Sequence, residues 1–193
     1  MRVFVVEDDP IILTGFSMML KALGHEVVGQ AVDGVSAVEK ALALQPELIL
    51  MDINMPKMDG ISAIEKINQK NVIPCIIITG YKDEKQIERA ARAGVYGYLC
   101  KPVDEYALKG EIAVVAERVK VYQSVERDRD KAIHSLEERK LIEQAKGILM
   151  KQKNLSEIDA FREMQKKSRD QNLKLADLAR KIIKAYAFCA GVL

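Results

Sequence analysis

Five short apolar runs alternate with four amphipathic stretches over the first 120 residues, and nothing else in the chain restricts its fold as strongly. Arg2–Val6, Glu26–Gln30, Glu47–Met51, Cys75–Thr79 and Tyr96–Cys100 are brief and rich in Val, Ile and Leu, and read as strands. Between them, Ile11–Leu23, Gly34–Leu44, Asp59–Gln69 and Glu84–Ala93 place apolar residues three and four apart, as in Ile12, Phe16, Met19, Leu20 and Leu23. Those are amphipathic helices. Gly24, Pro46, Gly60 and Gly94 punctuate the joins. Strands alternating with helices make βαβ units, so the expected fold is α/β: a doubly wound five-stranded parallel sheet with helices on both faces. In such a sheet the site lies beyond the carboxyl ends of the strands.

The residues at those ends carry chemistry. Glu7, Asp8 and Asp9 follow the first strand, Asp52 follows the third, and Thr79 and Lys101 end the fourth and fifth. Carboxylates gathered within ~5 Å repel by a few kcal/mol at an effective dielectric of about 20. Lys101 or a divalent cation has to compensate. Oxygen ligands without Cys or His suit a hard ion that keeps some of its water, which points to Mg²⁺. A carboxylate beside an ammonium and Mg²⁺ suits in-line phosphoryl transfer, where catalysis is positioning and charge neutralisation. Asp9, taken alone, is equally well explained as a helix N-cap.

Beyond Asp104 no strand pattern recurs. Leu108, Ile112, Val115, Val119 and Tyr122 step by four and three, the period of a coiled-coil seam. Glu126-Arg127-Asp128-Arg129-Asp130-Lys131 then alternates in charge, a solvated stretch of the same helix or a hinge in it. Three helices are expected after that. The first runs through Leu136, Leu141, Ala145, Ile148 and Leu149. Ser156 and Asp159 form a capping box opening the second, with Ile158, Phe161 and Met164 inward. The third carries the stripe Leu175, Leu178, Ala179, Ile182 and Ile183, with Asn172 as its N-cap. The resulting division is residues 1–120, a helical linker 121–135, and a small all-α domain 136–193.

Charge follows the same division. Residues 1–120 hold 14 basic and 17 acidic side chains, whereas residues 121–193 hold 16 and 11. An acidic front and a basic back suggest separate tasks, the second at a polyanion. Cys75, Cys100 and Cys189 are odd in number, far apart and without CxxC or His partners, so a disulfide framework and a Cys-based zinc site are not expected. No apolar run approaches a bilayer span, and the first residues lack a secretory pattern, so the expectation is a cytoplasmic protein with no membrane partner.

Val5-Val6-Glu7-Asp8-Asp9, Asp52 through Gly60, Thr79-Gly80 and Tyr98-Leu99-Cys100-Lys101-Pro102 stand in the order and spacing of receiver-domain motifs. Residues 1–120 resemble a bacterial response-regulator receiver, with its flavodoxin-like fold. The resemblance implies that a sensor histidine kinase phosphorylates Asp52. It implies that Asp8, Asp52 and the Asn54 main-chain carbonyl ligate Mg²⁺, with Glu7 acting through water. Lys101 and Thr79 would contact the phosphoryl oxygens, Thr79 and Tyr98 would form the switch, and the bond before Pro102 would be cis. Beyond this phosphoryl chemistry no enzyme is expected.

The run Leu136 to Met150, with Ala145-Lys146-Gly147 at its centre, resembles the opening of an ANTAR domain, the RNA-binding module of antitermination regulators. Leu155-Ser156-Glu157 and Leu175 to Ala179 continue its pattern. The resemblance implies a transcription antiterminator that grips hairpin RNA of the nascent transcript, and a homodimer when phosphorylated, paired through the receiver face or the 108–122 seam. Lys146, Lys151, Arg162, Lys166, Arg169 and Lys174 are the candidate RNA contacts, phosphates favouring such cations. Base recognition by extensive stacking is not expected, the tail's aromatics being Tyr122, Phe161, Tyr186 and Phe188 with Phe161 in the core. Gly147 inside a helix suggests close approach of another helix or of the RNA backbone. The alternative outputs are a helix-turn-helix DNA-binding domain, the 170–172 segment serving as its turn, and a basic module that docks a protein.

Overall fold

Strand order explains where a site has to form. The sheet runs β2 (Glu26–Ala31), β1 (Arg2–Val6), β3 (Leu48–Asp52), β4 (Cys75–Thr79), β5 (Gly97–Cys100), and every neighbouring pair is parallel. The chain winds outward from β1 to β2, then crosses back to β3, so the winding reverses between β1 and β3. Loops on either side of that switch point diverge and leave a crevice. Glu7 and Asp8 follow β1 and Asp52 ends β3, so the carboxylates sit at the crevice. The computed structural model describes residues 1–80 and 84–189, with the side chains of Phe188 and Cys189 outside that description. It divides into two compact units, Met1–Tyr122 and Gln123–Leu193.

In the first unit the strand alternation feeds two cores. Phe4, Val6, Ile49, Met51 and Ile77 face α2 (Gly34–Leu44), α3 (Gly60–Asn68) and α4 (Glu84–Arg92), packing on Ala37, Ile61 and Ala90. Val3, Val5, Leu50 and Ile76 face α1 (Pro10–Ala22) and the start of α5 (Glu105–Lys153). Helix α1 opens with Pro10, whose missing N–H is no loss at a first turn, and the Asp9 carboxylate accepts from the Ile11 and Ile12 amides at 2.8 and 3.3 Å. Asp9 therefore serves as a cap.

The expected seam on α5 is corrected. Leu108, Ile112 and Val115 are buried in the second core beside Leu20 and Ile76, and Val119 packs against it. Their four-three stepping is that of a helix lying on its own sheet, which over about three turns cannot be told from a heptad repeat. These three residues do not face a second copy. Tyr122 is exposed, as are Val121 and Val125.

The second unit comprises the later part of α5, α6 (Glu157–Asp170) and α7 (Leu175–Cys189). Its buried core is Ala145, Leu149, Ala160, Met164, Leu178 and Ala179. Half of those are alanine, so close backbone approach replaces bulk. Leu136 and Ile158 are corrected: both point to solvent, at 58% and 65% exposure. Phe161 is half-buried and outside this core. Ser156 caps α6 through the Asp159 amide, and its hydroxyl donates to Asp159 Oδ2 at 2.6 Å. The shorter Asp meets the Ser hydroxyl where a Glu would reach the cap's backbone N–H. Asn172 is not the N-cap of α7. It sits at φ 51°, and the Leu173 and Asn172 amides donate to the Ser168 and Arg169 carbonyls at 2.9 and 3.1 Å, closing α6 in a Schellman motif. Lys174 precedes α7, its carbonyl accepting from the Leu178 amide at 3.1 Å. Among the described residues nothing lies within 4 Å of a Cβ built at Gly147, so no described helix accounts for that glycine.

Candidate functional site

The strand ends of the first unit bring one cation between two buried carboxylates. Lys101 Nζ lies 2.8 Å from Glu7 Oε2 and 3.0 Å from Asp52 Oδ1. Glu7 and Asp52 are 1% and 4% exposed, and Asp8, beside them, is open to solvent. Carboxylate oxygens of Glu7, Asp8 and Asp52 lie within 4.8 Å of one another. Register places these groups. Asp52 stands beside Ile78 and Thr79 beside Cys100, and the Lys101 amide donates to the Thr79 carbonyl at 2.8 Å. The peptide before Pro102 is cis.

Electrostatics leave the arrangement short of positive charge. Burial pushes both the Asp52 and Glu7 carboxyls up, against the hydrogen bonds and charge of Lys101 that hold them down; the neighbouring acid adds to the rise, Asp8 for Asp52 and Asp52 for Glu7. Burial would lower Lys101, yet the two carboxylates that surround it carry its pKa above the ordinary value. Both Glu7 carboxylate oxygens face the one Lys101 ammonium, Oε2 at 2.8 Å and Oε1 at 3.0 Å. Three clustered carboxylates, two of them buried, against the one ammonium of Lys101 fit a hard divalent cation.

The surrounding turn is built for close approach. A Cβ at Gly60 would lie 2.0 Å from the Asp52 carbonyl oxygen, so only glycine lets α3 begin there. The Gly60 amide donates to the Ile53 carbonyl at 2.9 Å, and the Asn54 amide donates to Asp52 Oδ2 at 3.1 Å. Asp59, capping α3, is held down by Ser62 and Arg89 against its burial, and Arg89 of α4 approaches it at 3.2 Å. The sequence reading missed this tie between α4 and the loop after β3. It also missed Glu111, whose Oε1 accepts from the Tyr98 amide at 3.1 Å. Both lie on helix faces where a single charge carries no pattern. Thr79 is buried and Tyr98 half-buried.

The candidate cations of the second unit lie on α5, on α6 and, for Lys174, just before α7. Lys151, Arg162, Lys166, Arg169 and Lys174 are exposed. Lys146 is different: it is 8% exposed and ion-paired to Glu143 and Glu157 at 2.5 and 2.8 Å. Its ammonium is spent inside the unit, which corrects the expectation of a free cation there. Among the described residues no helix is long and apolar enough to cross a membrane.

Residues 3–113 match the response regulator receiver domain. The chain belongs to the response regulators. Residues 130–183 match the ANTAR domain, so this response regulator carries an ANTAR output unit. It is 34% identical over 182 residues to the transcriptional regulatory protein PdtaR of Mycobacterium tuberculosis, spanning 94% of this chain and 89% of that one. The chemotaxis protein CheY of Treponema pallidum is 41% identical over 118 residues, 59% of this chain and 81% of its own. The receiver fold is shared with the signal receiver domain of a modulated diguanylate cyclase from Desulfovibrio desulfuricans G20. That structure has a TM-score of 0.58 and 30% identity, and the match covers 62% of this chain and 96% of that domain.

Proposed function

We propose that this response regulator is a phosphorylation-controlled, cytoplasmic RNA-binding antiterminator. The observation that carries the reading is Lys101 held between Glu7 and Asp52 at the switch point of the sheet, in a chain whose other unit is ANTAR. Asp52 is the phosphoacceptor: one carboxylate oxygen forms a bond to phosphorus while the bond from phosphorus to the histidine nitrogen of a sensor kinase breaks. Lys101 neutralises charge on the transferred phosphoryl oxygens, and Thr79 donates a hydrogen bond to one of them. Glu7, Asp8, Asp52 and the Asn54 carbonyl would hold Mg²⁺, directly or through water. When bound, that ion supplies charge neutralisation for the phosphoryl oxygens.

The new phosphoryl group adds roughly −1.5 to −2 charges at Asp52. Thr79 moving toward it leaves room for Tyr98 to turn inward, repacking the face formed by α4, β5 and α5. Near-complete switching requires a differential of ~5.5 kcal/mol, so phosphorylation and a binding partner act together. Pairing of two chains uses that face or the exposed α5 residues Val121, Val125, Ile133 and Leu136, since Leu108, Ile112 and Val115 are covered. Two paired ANTAR units gain effective concentration on adjacent hairpins. RNA so held cannot form a competing terminator. Lys151, Arg162, Lys166, Arg169 and Lys174 remain as cations for the RNA backbone.

A competition of hairpin RNA against duplex DNA at several salt concentrations tests the output. The expected result is preference for RNA with affinity falling steeply as salt rises. Preference for DNA, or no salt-dependent binding of either, contradicts it. Asp52→Ala with a phosphoryl donor is expected to abolish RNA-stimulated dimer formation.

A further inference from the structure

Helix α6 borders two adjoining hollows that the core of its unit leaves open. The first, about 450 Å³, is lined by Ile158, Phe161, Arg162 and Gln165 with the carboxylates of Glu143 and Glu157 and the Lys146 that joins them. The second, about 440 Å³, is lined by Gln165, Ser168, Arg169 and Leu175. Gln165 belongs to both. Residues 158, 162, 165 and 169 step by four, three and four, so they share one helix face. Along this face α6 leaves the large apolar side chain of Ile158 exposed and that of Phe161 half-exposed.

Charge runs along the same axis. The first turn of α6 is acidic, with Glu157 and Asp159, and the last is basic, with Lys167 and Arg169. Within α6 the ion pairs join Arg162 to Asp159 and Lys167 to Glu163, and Lys166 and Arg169 are exposed outside them. A small anion has no use for Ile158 and Phe161, and an aliphatic peptide has none for the cations. A nucleotide combines a polar edge, a flat apolar ring and a phosphate, and α6 offers Glu157, then Ile158 and Phe161, then Lys166 and Arg169 in that order.

Resting on the RNA-binding reading of the ANTAR unit, we propose that the Ile158–Phe161 hollow receives one unpaired base of a hairpin loop. Its ring lies against those two side chains, and the adjoining phosphates lie toward Lys166 and Arg169. Lys146 bridges Glu143 and Glu157 without enclosing them, their side chains remaining 66% and 67% exposed. Their free lone pairs accept from a donor on the base edge. Adenine, cytosine and guanine offer an exocyclic amino group with two N–H donors for the two carboxylates, whereas uracil offers carbonyl oxygens in its place and a single ring N–H. The hollow therefore favours an amino-bearing base over uracil.

The test uses the full chain, phosphorylated, with stem-loop RNAs that differ only in having an all-adenosine, all-cytidine or all-uridine loop. Wild type is expected to bind the adenosine or cytidine loop several-fold more tightly than the uridine loop. Ile158→Ser, at an exposed position, weakens the preferred complex roughly tenfold without changing its salt dependence. Lys166→Ala instead lowers the salt slope by about 1. Glu143→Gln narrows the preference over uridine. Wild-type RNA binding that Ile158→Ser and Glu143→Gln leave untouched overturns the base pocket and spares the RNA reading. Failure of wild type to bind any of the three RNAs overturns both.

Discussion

In the receiver, Glu7 and Asp52 are drawn under the sheet edge and share the single ammonium of Lys101. In the ANTAR unit the pairs Arg180–Asp177 and Lys167–Glu163 lie along helix surfaces, three or four residues apart. Pairs of the second kind contribute about 0.3–0.5 kcal/mol each and define no site. The first arrangement concentrates unbalanced charge where solvent cannot screen it, and stored charge of that sort is what phosphoryl chemistry needs. The cores differ in parallel: the receiver buries Phe4, Leu50, Ile64 and Ile77, whereas half the ANTAR core is alanine.

The largest expected effect attacks that difference in packing. Met164→Ala removes the longest buried side chain among those six core residues and should cost about 2–5 kcal/mol. In denaturant unfolding, the ANTAR transition should shift to lower concentration while the receiver transition stays in place. Gly60→Ala is next, because its methyl group would collide with the Asp52 carbonyl, at a cost of about 1–3 kcal/mol. The same substitution should slow phosphorylation, measured by labelled donor.

How far each unit was legible follows from the same physics. The strands were readable because Val3-Phe4-Val5-Val6 and Ile76-Ile77-Ile78 are too short and too apolar for anything but a buried sheet. The site was readable because parallel topology delivers Glu7, Asp52, Thr79 and Lys101 to one edge whatever the loops do. The seam on α5 was misjudged because a helix on its own sheet and a helix on a partner share the same spacing over so few turns. Ile158 and Phe161 were placed inward because three-residue spacing marks a stripe without saying which stripe meets the core. In a core built on Ala145, Ala160 and Ala179 the small residues define the inward face. Lys146 was misplaced because a sequence does not reveal that Glu143 and Glu157 close on it.

Smaller effects sharpen the contrast in electrostatics. Lys101→Ala leaves Glu7 and Asp52 buried and facing each other, and should lower receiver stability at neutral pH by about 1–3 kcal/mol. Millimolar Mg²⁺ should restore more of that loss than it adds to wild type, as read by thermal melts with and without the ion. The smallest effect concerns Asp33, whose carboxyl is held down to about 2 by the Ser36 amide and by Lys57. A depressed carboxyl contributes stability above its ordinary value, so this contribution is present at pH above about 4 and fades as pH falls through about 2. Following the Asp33 side-chain carbon by NMR should give that low midpoint, and Lys57→Ala should raise it.

Incorporation of label from a small-molecule phosphoryl donor, located by mass spectrometry, bears most directly on the receiver site. One phosphoryl group on Asp52 is expected, lost in Asp52→Asn and suppressed when divalent cations are chelated. Label on any other residue, or uptake undiminished by that substitution, would contradict the reading.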